Sequence, residues 1–374
     1  MTRWTLVALV AFLLPIPVVA CSLCGGNLQQ TPTLRQEAAG TTARLILYGS
    51  LFDPQVNATK MQILQVLRDD PFLRGAKQIT IPRFLPVSDP KNPPRFLIFC
   101  DVFENKLDVF HGVQIRSAEG LDYVNKVLKL DPKDPGANLA FFANYLEHPD
   151  KEIAADAFLE FAKATDAEIG RVANKLSASK LRVWLKDPQT PLERLSTYAF
   201  VLGACGTDED ALYLEGLLKE RGERANATYD GALSGYIALR PRDGWDLAKR
   251  LLADGKAPLP LRFAVTRAMR FHYGWQPEKA RTLVLDAMRI MLAQGELADV
   301  AIEDLRRFKL WDLTRDVLGL YGRKGYDAPI MQEAIVRYAL TCNDDGSKAF
   351  LAERRRIEPM LIKQVEESLR FEKQ

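Results

Sequence analysis

Ala154-Ala155-Asp156-Ala157-Phe158-Leu159-Glu160-Phe161-Ala162 is the stretch from which the fold is read. Ala154, Ala157, Phe158, Phe161 and Ala162 stand at relative positions 0, 3, 4, 7 and 8, the spacing of one face of an α-helix. The pattern returns from Leu192 (Leu195, Ala199, Phe200), Tyr229 (Ala232, Leu233, Tyr236, Ile237) and Leu261 (Ala264, Val265, Ala268, Met269). It returns twice more, from Leu297 (Val300, Ala301, Leu305, Phe308) and Met331 (Ala334, Ile335, Tyr338, Ala339, Cys342). The starts lie 38, 37, 32, 36 and 34 residues apart, and such a period predicts stacked units. A second helical stretch precedes each segment, at about 137–147, 172–186, 209–220, 245–253, 278–293 and 310–321, so each unit is predicted to be a helix pair.

Two units coincide closely. Leu146-Glu147-His148-Pro149 with Ile153 matches Leu185-Lys186-Asp187-Pro188 with Leu192 at an offset of 39, and Tyr145 matches Trp184. Pro191, Pro258 and Pro329 stand where second helices are expected to start, a position that tolerates a missing N–H. Helix pairs of this length resemble HEAT-like repeats. The aromatic-glycine signature of the tetratricopeptide repeat is absent, and the intervals are too uneven for its period. The resemblance implies an α-solenoid of about six helix pairs over 137–342, with residues 343–374 as capping helices that cover the last unit.

Upstream, the pattern changes to short apolar runs at 44–52, 60–67, 77–81, 95–103 and 106–110, which predict five strands over 42–116. Gly49 is placed to make a bulge, and Glu104-Asn105 to turn the last two strands into a hairpin. The order of short strands resembles OB-like or netrin-like modules, a small antiparallel barrel or sandwich. Residues 117–136 are expected to be a linker helix, N-capped by Ser117, and a turn at Asp131-Pro132-Lys133-Asp134-Pro135-Gly136. The expected fold class is therefore multidomain α+β.

Residues 1–20 read as an export signal, with Arg3 before an apolar run that Pro15 and Pro17 interrupt. Val18-Val19-Ala20-Cys21 resembles a bacterial lipobox, which implies lipidation of Cys21 and a membrane-anchored envelope protein. Cleavage after Ala20 to give a plain secreted chain fits the same residues. Residues 21–41 are polar enough for a tether. The 51 basic residues nearly balance the 48 acidic ones, which argues against nucleic acid as a partner and leaves lipid on Cys21 as the expected route to a membrane.

Candidate chemistry is sparse. Cys21-Ser22-Leu23-Cys24 lacks the strand and helix that a redox pair needs, and no second ligand pair completes a zinc site. Cys24 could pair with Cys100 in an oxidising compartment; Cys100 reads equally well as a buried strand residue. Cys205 and Cys342 fall four units apart, too far to bridge. None of the three histidines, His111, His148 and His272, has a carboxylate or a second histidine at ligand spacing in sequence. Arg270-Phe271-His272-Tyr273-Gly274-Trp275 is aromatic-rich, so Phe271, His272, Tyr273 and Trp275 read either as packing between units or as a partner-binding spot. No catalytic, cofactor or metal residue is nominated.

These readings lead to an exported, lipid-anchored binding or scaffold protein that meets a protein partner through its solenoid surface. One alternative is a netrin-like inhibitor that chelates a metal through an unlipidated Cys21, although this chain has Cys-x-x-Cys where that family has Cys-x-Cys. Another is an enzyme working through carboxylates that sequence cannot single out.

Overall fold

A computed structural model of the chain describes Leu23 and residues 31–372. Its first large element is a sheet of five antiparallel strands: β1 (Leu45–Gln55), β2 (Ala58–Arg68), β3 (Gln78–Ile81), β4 (Arg95–Phe103) and β5 (Lys106–Gln114), in the order β3-β2-β1-β4-β5. Successive side chains of a strand point to opposite faces. Ile46, Tyr48, Leu97 and Phe99 accordingly join the core shared with the helices, whereas Leu45, Leu47, Leu51, Ile98 and Cys100 form a second core with Met61 and Ile81. Burial on both faces explains why β1 and β4 are unbroken apolar runs rather than alternating ones.

Gly49 makes the expected irregularity. The register shifts beside it, and a Cβ there would stand 2.3 Å from the Gln62 carbonyl oxygen. At the other predicted turn, Glu104 and Asn105 both have positive φ, 49° and 58°, as a tight hairpin between β4 and β5 requires. β3 and β5 are the sheet edges, and just past β3 Arg83 donates to the Val109 carbonyl of β5 at 2.5 Å.

All six apolar segments lie on helices: α4 (Lys151–Lys163), α7 (Leu192–Cys205), α9 (Glu223–Leu239), α11 (Leu259–Trp275), α13 (Ala298–Arg307) and α15 (Pro329–Cys342). Before them stand α3 (Pro135–Phe142), α6 (Ala178–Lys186), α8 (Asp208–Leu217), α10 (Pro241–Ala253), α12 (Pro277–Leu292) and, for the last, a 3-10 turn leading into α14 (Thr314–Leu318). Ser117 caps the linker helix α2 (Ala118–Val127), accepting from the Gly120 N–H. α16 (Asp345–Ile357) and α17 (Pro359–Phe371) cover α15, burying Val336 and Ala339 against Leu351, Ile362 and Val365.

Two helices depart from expectation. α1 (Leu34–Ala39) lies in the stretch read as a tether, and both it and Leu23, which is 5% exposed, are docked rather than free. α5 (Asp166–Ala173) is an extra helix that packs against α3, α7 and also α11, which belongs to the fourth pair. A strictly linear stack would keep those elements apart. The absence of a side chain on Gly170 admits Trp275, whose Nε1 would lie 2.2 Å from a Cβ there.

α7 and α9 approach closely because small residues line their contact: a Cβ on Gly231 would meet the Ser196 carbonyl oxygen at 1.6 Å, and one on Gly203 would meet Gly235 at 2.1 Å. Four junctions between successive pairs are closed by one device. A carbonyl at or just beyond the end of the first helix accepts from a side chain of the next pair: Leu146 from Arg194, Leu185 from Arg224 (3.0 Å), Leu252 from Gln294 (2.6 Å) and Leu292 from Tyr326 (2.9 Å). Carbonyls at a helix end have no partner within the helix, so each such bond satisfies an orphan group. Ion pairs Arg182–Asp210, Arg267–Asp230 and Arg270–Asp304 run across neighbouring pairs as well. Among the described residues no helix is long and apolar enough to cross a membrane.

Candidate functional site

A set of buried and half-buried ionisable side chains sits where α1 meets α2, α4 and β5. α1 is only six residues long, and a reciprocal capping box between Thr33 and Gln36 starts it. Its remaining support is tertiary. The Leu34 N–H donates to Asp156 Oδ1 at 2.8 Å, so a carboxylate of α4 fills a vacancy at the start of α1. Arg35 grips Glu160, one turn further along α4, through Nη2 at 2.6 Å and Nε at 3.3 Å. Glu37, on the same short helix, pairs with Nδ1 of His111 on β5, whose ring stacks on Phe99 at 5.7 Å. From α2, the Tyr123 hydroxyl donates to Asp156 Oδ2 at 2.6 Å.

Both α4 carboxylates are buried, Asp156 at 6% exposure and Glu160 at 5%. Burial raises the Asp156 pKa to about 6; the bonds from Tyr123 and Leu34 pull it down, and the charges of Glu160 and Glu37 push it up. The Tyr123 hydroxyl is driven well above the usual tyrosine range by burial and by Asp156. Arg35 is the counter-ion that keeps Glu160 from being a bare buried charge. The arrangement can hold a proton and clamp four elements together. With the carboxylates this buried, it does not present them to a substrate.

Sequence reasoning passed over every member of this cluster except His111. Asp156 and Glu160 carried one usable signal: two acids at i and i+4 repel on a helix surface, and their position beside a buried stripe calls for compensation from elsewhere. Arg35 and Glu37 carried none, because their helix depends on contacts made far along the chain.

The nominated residues are scattered. Cys21 and Cys24 lie outside the described residues. Cys100 is a free thiol in the inner core of the sheet, its pKa pushed up to about 12 by burial and by Asp108. Cys205 and Cys342 are free as well. His148 accepts from the Asp150 N–H at 3.1 Å and lines an open cleft of about 620 Å³ with Arg116, Glu119 and Lys151.

The aromatic segment at the end of α11 is largely internal. Phe271 is fully buried with its ring 4.0 Å from that of Phe200, and His272 is buried with Nε2 3.0 Å from the Ser234 carbonyl oxygen. Phe271 and His272 thus offer no surface to a partner. Half-buried Tyr273 and Trp275 pack on Phe308 (4.6 Å) and Phe200 (5.6 Å). No family model, characterised protein or solved structure matches the chain.

Proposed function

We propose that the protein is an exported, lipid-anchored scaffold that binds a protein partner through its helical array and performs no catalysis. One observation carries the reading: Leu23 lies in the main core, and α1 is clamped to both the sheet and α4. A body joined to its N-terminal segment in this way would be held close to whatever surface anchors Cys21.

The repeat character is supported by the device at the unit junctions. Leu146 and Leu185, matched at an offset of 39, each accept from an arginine of the following pair, which is how HEAT-like units would be expected to register. We read the sheet as barrel-like, on the strength of its two buried faces and the Arg83–Val109 bond between its edge regions. Exposed Val183 on α6 and Leu212 on α8, next to the Arg182–Asp210 pair, supply apolar surface on neighbouring pairs.

Mass spectrometry of the mature N-terminus, together with fractionation of Cys21→Ala, tests the anchor. Acylated Cys21 and loss of the variant from the membrane fraction are expected. A free amine on Cys21, or equal recovery of both proteins without detergent, would refute it and return the argument to the metal-chelating alternative.

A further inference from the structure

We propose that the cavity between the start of β4, the end of β5 and the start of α2 binds a phosphate monoester, carried by a free small molecule or by a lipid headgroup. Ile115 donates its N–H to the Arg95 carbonyl at 2.9 Å, which holds the first residue of β4 beside the chain that leaves β5 for α2. Arg95 and Arg116 therefore line one space of about 370 Å³, and no aspartate or glutamate lines it with them. Ligand pockets run from roughly 300 to 1,000 Å³, so there is room for a body beyond the phosphate. Among the described residues Arg95 has no acidic partner. Arg116 donates through Nη2 to Gln114 Oε1 at 3.2 Å, which steadies its guanidinium and leaves its other N–H groups to donate. Glu119, close by in sequence, lines instead the adjoining cleft that shares Arg116 and Ser117.

Two further observations point to an anion. The first is that α2 opens on this cavity, where Ser117 caps it by accepting from the Gly120 N–H at 3.1 Å. The N–H groups ahead of Gly120 have no acceptor within the helix, and such an end carries partial positive charge and takes up phosphate readily. The second is Tyr48 on β1. Its side chain lines the cavity and is only 4% exposed, yet its hydroxyl has no hydrogen-bond partner among the described residues. Nor is that oxygen one of the unpartnered polar atoms that solvent cannot reach, so it opens into the cavity. A buried hydroxyl normally has a partner, and a ligand oxygen would supply it.

The number of donors favours phosphate over carboxylate. Two guanidinium groups, the Tyr48 hydroxyl and the first N–H groups of α2 exceed what the two oxygens of a carboxylate would use. A phosphate monoester presents three strong acceptor oxygens to them, and arginine forks match those oxygens in pairs. Pro93 and Pro94 make part of the wall, and their fixed backbone keeps the shape in place before a ligand arrives. Nothing in the site involves Cys21, so it stands or falls apart from the anchor.

Isothermal titration calorimetry of the full chain with inorganic phosphate, glycerol 3-phosphate, dihexanoyl phosphatidic acid and acetate tests the site. Binding of the phosphates at one site is expected, with acetate weaker. Arg95→Gln and Arg116→Gln are each expected to weaken phosphate binding about tenfold, and Tyr48→Phe, which keeps the ring and loses only the hydroxyl, several-fold. Glycerol 3-phosphate that binds as tightly as the short-chain lipid assigns the site to a free phosphorylated molecule; a lipid that binds about tenfold tighter assigns it to a headgroup. Failure of all three phosphates to bind overturns the proposal, as does acetate that binds equally well. Phosphate binding untouched by Tyr48→Phe overturns it too, since the anion would then rest on surface arginines alone. If circular dichroism shows Tyr48→Phe unfolded, hydrogen exchange of amides 116–119 in the wild type takes its place. Phosphate is expected to slow that exchange, and an unchanged rate overturns the site.

Discussion

At Gly231 a methyl group would have to occupy the position of the Ser196 carbonyl, with its carbon 1.6 Å from that oxygen. Gly231→Ala is expected to lower stability by at least about 2 kcal/mol in urea unfolding, because backbone on both sides must move apart. Gly216→Ala, on α8 with nothing within 4 Å of the added carbon, is expected to gain about 0.5 kcal/mol. His272 gives the residue scale its pH dependence. Burial lowers its pKa to about 4, with the Ser234 carbonyl pulling the other way. A histidine neutral in the fold and protonated when unfolded costs stability as the pH drops through the interval from about 6.5 to about 4. Between pH 7 and pH 5 the wild type is expected to lose about 2 kcal/mol more than His272→Gln, measured by denaturant titration at each pH. A difference that does not change with pH would show that the imidazole already titrates normally. For His272 packing between units was one of the two readings its aromatic segment allowed, whereas Asp156 could not be read as buried, because the groups that bury it come from residues 33–37 and from Tyr123.

Among the elements, the arginine that reaches back to the preceding pair is the most exposed to a direct test. Arg224 donates to the carbonyls of Leu185 (3.0 Å), Asp187 (2.6 Å) and Thr190 (3.2 Å) at the end of α6 and the turn after it. Arg224→Met keeps the aliphatic stem and leaves those acceptors to compete for water. A loss of about 2 kcal/mol is expected, with hydrogen exchange rising first over residues 178–190. A rise confined to α9 itself would assign Arg224 to local packing. The six helices with wide apolar stripes were legible because burial dictates every third or fourth side chain. The hairpin at Glu104-Asn105 was legible from its position between apolar runs. α1 and α5 were not: Leu-Arg-Gln-Glu-Ala-Ala has too few apolar residues to show a stripe, and both helices are too short to form without the surfaces they dock on. The reading of 172–186 as one helix failed for a related reason, since Ser177 caps a new start at Ala178 and the chain bends between Ala173 and that point.

For the whole molecule, removal of residues 343–374 is expected to uncover Val336 and Ala339 and loosen α15 first, then α13. α5, α7, α9 and α11 are expected to stay protected together, because Trp275 on α11 reaches Gly170 on α5 and ties separate pairs into one block. Hydrogen exchange on the truncated chain reads this out as a stepped profile. Uniform loss of protection from residue 137 onward would make the array a single cooperative globule. The helices themselves were visible in the spacing of their apolar residues, but the contact between α5 and α11 was not, since no period in sequence records which helices a chain brings back together. The clamp on α1 has a mechanical corollary. Tension entering the chain ahead of residue 31 passes from Leu34 and Arg35 into Asp156 and Glu160 on α4. While those bonds hold, the strands between α1 and α2 lie off this line of pull, and the sheet shares the load through the pair that Glu37 of α1 makes with His111 of β5.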